Sequence, residues 1–397
     1  MNHFSQSSPE AALLLAVLRE PVDQRIVDRC VSDVVKWQEF VDLCQRHQVT
    51  SLVAKKIEAC CRNNIPNKVL RRLQVLNTMI EHKNQMFAGE LIQLHTAFES
   101  AGIDVLHYKG ASASQLLYGD TGTRQFGDID FLFAEERTAD LLGVLAQCGY
   151  EDQRRRPDQP DYLYQFEKDF VLCKGPFIVE PHWSLTARRI SIDIDYSGLW
   201  ARSQSMSFGS ETIRTFSPVD MLYVMSICGA KAQWQRLQMI TDIAQIIRRY
   251  PQLDWQQCFA RAERSGCARM MRVGLFAAID WLDTSVPQHV EDWVLRDRKL
   301  PYLLDSMCNV LALDNTDEVW GSAGPASFNR FMFALHEGVK NKTVYLFRSA
   351  TSPSALHIQR FPLPSFLRWL YRLVVPFHDY AAVPIARKFR GWVGGSS

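Results

Sequence analysis

The chain has ten cysteines and not one C-x-x-C pair, so the spacing of a zinc knuckle or a thiol–disulfide redox site is missing. Cys30, Cys44, Cys60, Cys61, Cys148, Cys173, Cys228, Cys258, Cys267 and Cys308 are scattered, as expected of small buried hydrophobes. That usage makes a reducing cytoplasm the default compartment. No long apolar run is present. Ala11 to Leu18 is too short to cross a bilayer, and it follows Glu10 instead of the basic lead of a signal peptide. Excess charge of either sign is also lacking. The net charge of +2 argues against bulk nucleic-acid binding and leaves only a local basic patch open. Repeats and low-complexity segments are absent. What remains is an ordinary globular composition in 397 residues, enough for two or three domains.

Within that ordinary background, Gly127-Asp128-Ile129-Asp130-Phe131-Leu132-Phe133 stands out. Ile129, Phe131 and Phe133 alternate as in a strand buried on one face, which puts Asp128 and Asp130 together on the other. Carboxylates that close repel unless a cation lies between them. Hard divalent ions such as Mg²⁺ or Mn²⁺ bind through one or two carboxylates plus substrate phosphates. A third acid, Glu180, follows the apolar run Phe177-Ile178-Val179. The three acids together suggest a metal site for phosphoryl or nucleotidyl transfer.

Upstream, Ile103 to Tyr108 reads as a strand, and Lys109-Gly110-Ala111-Ser112 leads from it into a helix. Such a turn presents free backbone N–H groups to a phosphate. Lys109 would add a point charge, Arg124 a fork for a phosphate oxygen, and Gly127 a place of close backbone approach. Each has a bland counterpart. Lys109 reads equally as a loop lysine, and Arg124 as a salt-bridge partner of Asp120 or Asp128. His182, two residues past Glu180, is either a metal ligand or proton carrier, or a group behind the ligands that orients Glu180. Pro181 confines its strand to a sheet edge or to a strand end.

The surrounding chain reads as helical from 1 to 98, apart from the turn at Asn63-Asn64-Ile65-Pro66. A helix is expected from Glu136 to Cys148, and a β-hairpin from Tyr162–Leu172 and Pro176–Trp183 joined near Lys174-Gly175. A second helical block starts at Ser217-Pro218 and covers 220–250 and 255–282. The tail carries Pro353, Pro362 and Pro364 before a helix from Phe366 to Val375. Its Arg360, Arg368, Trp369, Arg372, Arg387, Lys388 and Arg390 fit a membrane surface, a nucleic acid, or a helix packed by its apolar face with solvated arginines.

Tyr108-Lys109-Gly110, Leu117-Tyr118-Gly119-Asp120, Arg124-x-Phe126-Gly127-Asp128-Ile129-Asp130 and Glu180-x-His182-Trp183 resemble the bacterial "uncharacterised nucleotidyltransferase" family, in the DNA polymerase beta-like superfamily. Softer similarities run through Trp37 to Leu52, Gly229-Ala230-Lys231 to Asp242, and Leu363 to Val375. The chain departs from the superfamily's Gly-Ser or Gly-Gly turn, and Cys228 and Ala232 stand where histidines often flank Gly-Ala-Lys. The resemblance implies an α+β fold, with a small mixed-sheet core at 99–200. Helical regions at 1–98 and 215–345 would flank it, with the tail at 346–397. It implies metal ligation by Asp128, Asp130 and Glu180, and nucleotide binding by Lys109, Gly110, Ser112, Arg124 and Gly127. An NTP, ATP first, would give its NMP to a hydroxyl of an unknown acceptor, a small molecule or a protein. The rival readings are a toxin-type enzyme acting on protein or tRNA, and a silent nucleotide-binding module.

Overall fold

The computed structural model describes residues 8–34, 36–152, 167–312, 324–353 and 355–378. The fold is mixed and mainly helical, with a small mixed sheet. Four short helices open the described chain: α1 (Pro9–Leu18), α2 (Gln24–Asp33), α3 (Trp37–Arg46) and α4 (Thr50–Cys60). Ser8 and Asp23 cap the first two by accepting from backbone N–H groups of the first turn. Then α5 (Asn67–Ser100) runs 34 residues. Its interior has no proline and a single glycine, which lets one helix continue unbroken.

Five strands form the main sheet: β1 (Val105–His107), β2 (Ile129–Phe133), β3 (Glu151–Asp152), β4 (Leu172–Lys174) and β5 (Phe177–His182). Their order is β1-β2-β5-β4-β3. Only β2 and β5 run parallel, and α7 (Thr138–Gln147) lies in the crossover between them. The β4–β5 hairpin turns at Gly175, whose φ of 55° is a left-handed value that glycine adopts freely. Of the expected first hairpin arm, 162–166 lies outside the described residues. The rest of that arm is shorter than expected, yet it continues the pairing through Phe170 N–H to Pro181 O at 3.1 Å. Pro181 sits one residue from the end of an interior strand, the second of the two places open to it.

One expectation about β2 needs correcting: all five of its residues are buried, not only those on one face. Ile129, Phe131 and Phe133 pack with Phe87, Phe98 and Leu141. On the opposite face, Leu132 joins Leu106, Tyr108 and the helices of the larger core. Helices cover both faces of the sheet, so Asp130 is carried into the interior rather than to solvent.

A short helix, α8 (Tyr196–Ala201), and a small antiparallel ribbon, β6 (Gln204–Phe208) with β7 (Glu211–Thr215), follow, the ribbon built from polar strands that the sequence reading passed over. Ser217 then caps α9 (Pro218–Lys231), with proline in the first turn as expected. The block read as 220–250 is broken at 232–236, where Gln233 and Trp234 take φ values of 50° and 53°. The chain resumes as α10 (Leu237–Arg249). The block read as 255–282 is likewise divided, into α11 (Trp255–Arg264), α12 (Ala268–Phe276) and a π-helical turn. All ten thiols are free, and five of them are buried. No helix among the described residues is long and apolar enough to cross a membrane.

Candidate active site

The parallel register of β2 and β5 builds the site. It places Asp130 directly beside Glu180, and Leu132 beside His182. The two acids that are 50 residues apart in sequence are therefore cross-strand neighbours. Asp130 is buried, and Asp128 and Glu180 are half-buried. Among the described residues, donor atoms of Asp130, Glu180 and His182 all lie within 4.8 Å of one another. Asp128 stands outside that trio, though near enough for its charge to raise the Glu180 carboxyl after burial and Asp130.

Electrostatics divides the acids. Lys109 Nζ donates to Asp130 Oδ1 at 2.9 Å, and His182 Nε2 lies 2.9 Å from the same oxygen. Burial works to raise Asp130, but Lys109 and His182 overcome it and hold the carboxyl far below its ordinary range. Asp128 goes the other way, pushed up to about 6 by the Asp130 charge and by burial. Glu180 is raised too, by burial first. His182 is pushed down to about 3 by burial, against the hydrogen bond to Asp130, so its imidazole is neutral. Its Nδ1 lies 3.5 Å from Asp169 Oδ2. His182 thus braces Asp130, whereas Glu180 Oε2 is 3.8 Å from Nε2.

The turn before α6 (Gly110–Tyr118) lies next to this cluster. Gly110 has a φ of +57°, and a Cβ there would come within 3.0 Å of the Asp128 carbonyl oxygen. Both the backbone angle and the space therefore require glycine. The Ser112 hydroxyl is buried and donates its one proton to Lys109 O at 2.8 Å, so it has none left to give a ligand. Gly127 is exposed at the rim, near Lys83 Nζ. We expect Gly110→Val to destabilise the chain by about 1–3 kcal/mol through the backbone angle and the clash. Chemical denaturation measures this, and wild-type stability in Gly110→Val would mean that the turn can relax.

Arg124 is paired neither with Asp120 nor with Asp128. Its guanidinium forks onto Asp242 of α10, with Nε 3.1 and 3.0 Å from the two carboxylate oxygens. Tyr118 OH donates to the same carboxylate at 3.2 Å. Asp120 instead closes its own turn by accepting from Gly122 and Thr123. Further hydrogen bonds pin the 119–128 loop. Asn84 Nδ2 donates to Thr121 O and Arg124 O, and Gln238 Nε2 donates to Gln48 O and Gln125 O. The loop that carries Asp128 is thereby tied to α5, α10 and the N-terminal helices.

Three basic groups here were not read as site residues from the sequence. Arg236 lines the same cleft as Lys109, Gly110, Asp128 and Asp130, and its buried Nε has no hydrogen-bond partner. Lys231 donates to Leu185 O beside the acids, and burial lowers it. Lys168, paired with Asp169, is pushed down to about 7 by burial and by the nearby charges of Lys231 and Lys109. Arg236 follows the paired left-handed residues at 233 and 234, which aim it back at the cleft. Periodicity does not register such a turn.

No curated protein matches the chain. Among solved structures, that of the antibiotic-resistance factor ANT(2'')-Ia is similar at 13% identity, over 46% of this chain and 92% of that one, with a TM-score of 0.33. The family model described as "Uncharacterised nucleotidyltransferase" matches residues 33–283, and this chain belongs to that family.

Proposed function

We propose that the chain moves a nucleoside monophosphate from an NTP to a hydroxyl of an acceptor, with Mg²⁺ or Mn²⁺ held by Asp128, Asp130 and Glu180. The observation that carries this is the in-register pairing of Asp130 with Glu180, with Asp128 two residues away and the start of α6 alongside. The donor set fits a hard divalent ion. Its acids are oxygen donors, and Asp128 is driven up to about 6 by its neighbour's charge, a repulsion that a cation relieves. When bound, such ions polarise phosphate oxygens and neutralise charge that develops during transfer.

The chain's own groups have separate tasks. The N–H groups that open α6 face the phosphates, as helix N-termini favour. Lys109 and Arg236 balance phosphate charge, while Arg124, committed to Asp242, fixes the wall behind them. Glu180, its carboxyl raised by burial, accepts the proton of the acceptor hydroxyl. The freed oxygen attacks the α-phosphorus, the bond to the β-phosphate oxygen breaks, and pyrophosphate leaves. His182 holds Asp130 in place as a neutral donor.

Incubation with each α-labelled NTP, Mg²⁺ and a cell extract tests the reading. Label should move to an acceptor, with one equivalent of pyrophosphate released. Glu180→Gln should keep nucleotide affinity within a few-fold and lose turnover. Nucleotide binding without transfer to any acceptor would favour the silent module. A labelled tRNA or protein would favour the toxin-type reading.

A further inference from the structure

At the C-terminal end of the described chain, a 3₁₀ turn at Ser365–Leu370 runs into a helix, Tyr371–Phe377. Tyr371 and Val375 on one face are buried against Ile358. Phe366, Trp369, Leu373 and Phe377, at spacings of three and four, line up on another face and are 77%, 57%, 63% and 70% exposed. Isolated exposed hydrophobes need no explanation, but four large ones on one helical face do. The helix thus has two apolar faces, one docked and one open to solvent.

The charge around the open face is one-signed. Between Glu337 and Asp379 the sequence has no acid and carries Lys340, Lys342, Arg348, Arg360, Arg368 and Arg372. Arg360, Arg368 and Arg372 are exposed. The neighbouring helix, Gly338–Thr351, packs on Tyr371–Phe377 and exposes Val339, Leu346 and Phe347. Aromatic and aliphatic side chains that enter the acyl boundary, flanked by arginines that meet lipid phosphates, are the makeup of an interfacial amphipathic helix. A nucleic acid would use the arginines but leave Phe366, Leu373 and Phe377 in water. We propose that this face docks on an anionic phospholipid surface, which would bring the nucleotidyltransferase site to acceptors at a membrane.

The full-length chain should co-sediment with phosphatidylcholine–phosphatidylglycerol vesicles, stay in the supernatant with phosphatidylcholine alone, and be released by added salt. A Phe366→Ser/Leu373→Ser/Phe377→Ser variant should bind the mixed vesicles at least tenfold more weakly, and Arg368→Glu/Arg372→Glu should bind no better. These positions lie outside the acid cluster, so NTP affinity should match wild type in both variants and report an intact fold. A wild-type chain that ignores anionic vesicles overturns the proposal, as do variants that bind like wild type. Two other occupants have their own signatures. A tRNA shift lost in the arginine variant without lipid binding assigns the face to nucleic acid. A concentration-dependent dimer abolished in the Phe366→Ser/Leu373→Ser/Phe377→Ser variant without lipid binding assigns it to a second copy.

Discussion

Asp128→Asn and Asp130→Asn will both lower nucleotidyl transfer by roughly 10²–10³-fold or more, yet they will shift the stability of the metal-free chain in opposite directions. Asp128 is held up to about 6 because Asp130 and burial disfavour its charge. A carboxyl raised above its unfolded value binds more protons in the folded state. Its favourable contribution is complete below about pH 4, and it is lost as pH rises through about 6. Removing that charge should therefore stabilise the metal-free chain at pH 7.5 by on the order of 1–2 kcal/mol, after discount for solvent. Asp130 is the reverse case. Its ionised form is favoured by Lys109 and His182, so Asp130→Asn strands a half-buried ammonium and should cost about 1–3 kcal/mol. Thermal unfolding in chelator at pH 5 and pH 7.5 reads both effects. The gain from Asp128→Asn should shrink at the lower pH, where the wild-type carboxyl is already protonated. Transfer that survives Asp130→Asn would move the reaction centre elsewhere.

Trp234→Ala should be the most damaging single truncation outside the acids, costing about 3–5 kcal/mol. The indole is fully buried in the turn between α9 and α10. A Cβ at Gly274 of α12 would come within 2.5 Å of its ring, and one at Gly229 of α9 would overlap it as well. Two helices thus omit a side chain to admit one indole. Filling either gap, as in Gly229→Ala or Gly274→Ala, should cost about 1–3 kcal/mol by overpacking. The site would respond too, because the same turn aims Arg236 at the cleft. Chemical denaturation gives the energies, and ATP titration at a temperature where each variant remains folded gives the coupling. A Gly274→Ala variant as stable as wild type would mean that the indole has room to move.

The neighbouring positions of Asp130 and Glu180 could be read for a specific reason, although His182 and not Asp128 completes the close trio. Alternation placed Ile129, Phe131 and Phe133 on one side and Asp128 and Asp130 on the other, and Glu180 closed a second apolar run. The glycine turn was equally readable, because a strand that passes through Lys-Gly into a helix has few geometries. Burial of the second face of β2 was not readable, since it depends on distant helices that pack over Leu106, Tyr108 and Leu132. The partner of Arg124 lay 118 residues away in Asp242, beyond any local pattern. Arg236 was hidden by a break at 232–236 that interrupts neither composition nor hydrophobic spacing. The β6–β7 ribbon was missed because its strands are polar, although Gly209-Ser210 between them is a usable turn signal.

The long helix α5 has a mechanical meaning. Its first half, with Val69, Leu70, Leu73 and Leu76, belongs to the larger core, and its second half, with Phe87, Leu91, Leu94 and Phe98, to the sheet core. At 34 residues it is a strut about 51 Å long that is seated in both. Near its midpoint, Asn84 grips the loop that carries Asp128. A hinge between the two cores would have to snap this strut beside the loop it holds. Because both cores share this one helix, neither can rotate against the other without bending it beside Asn84.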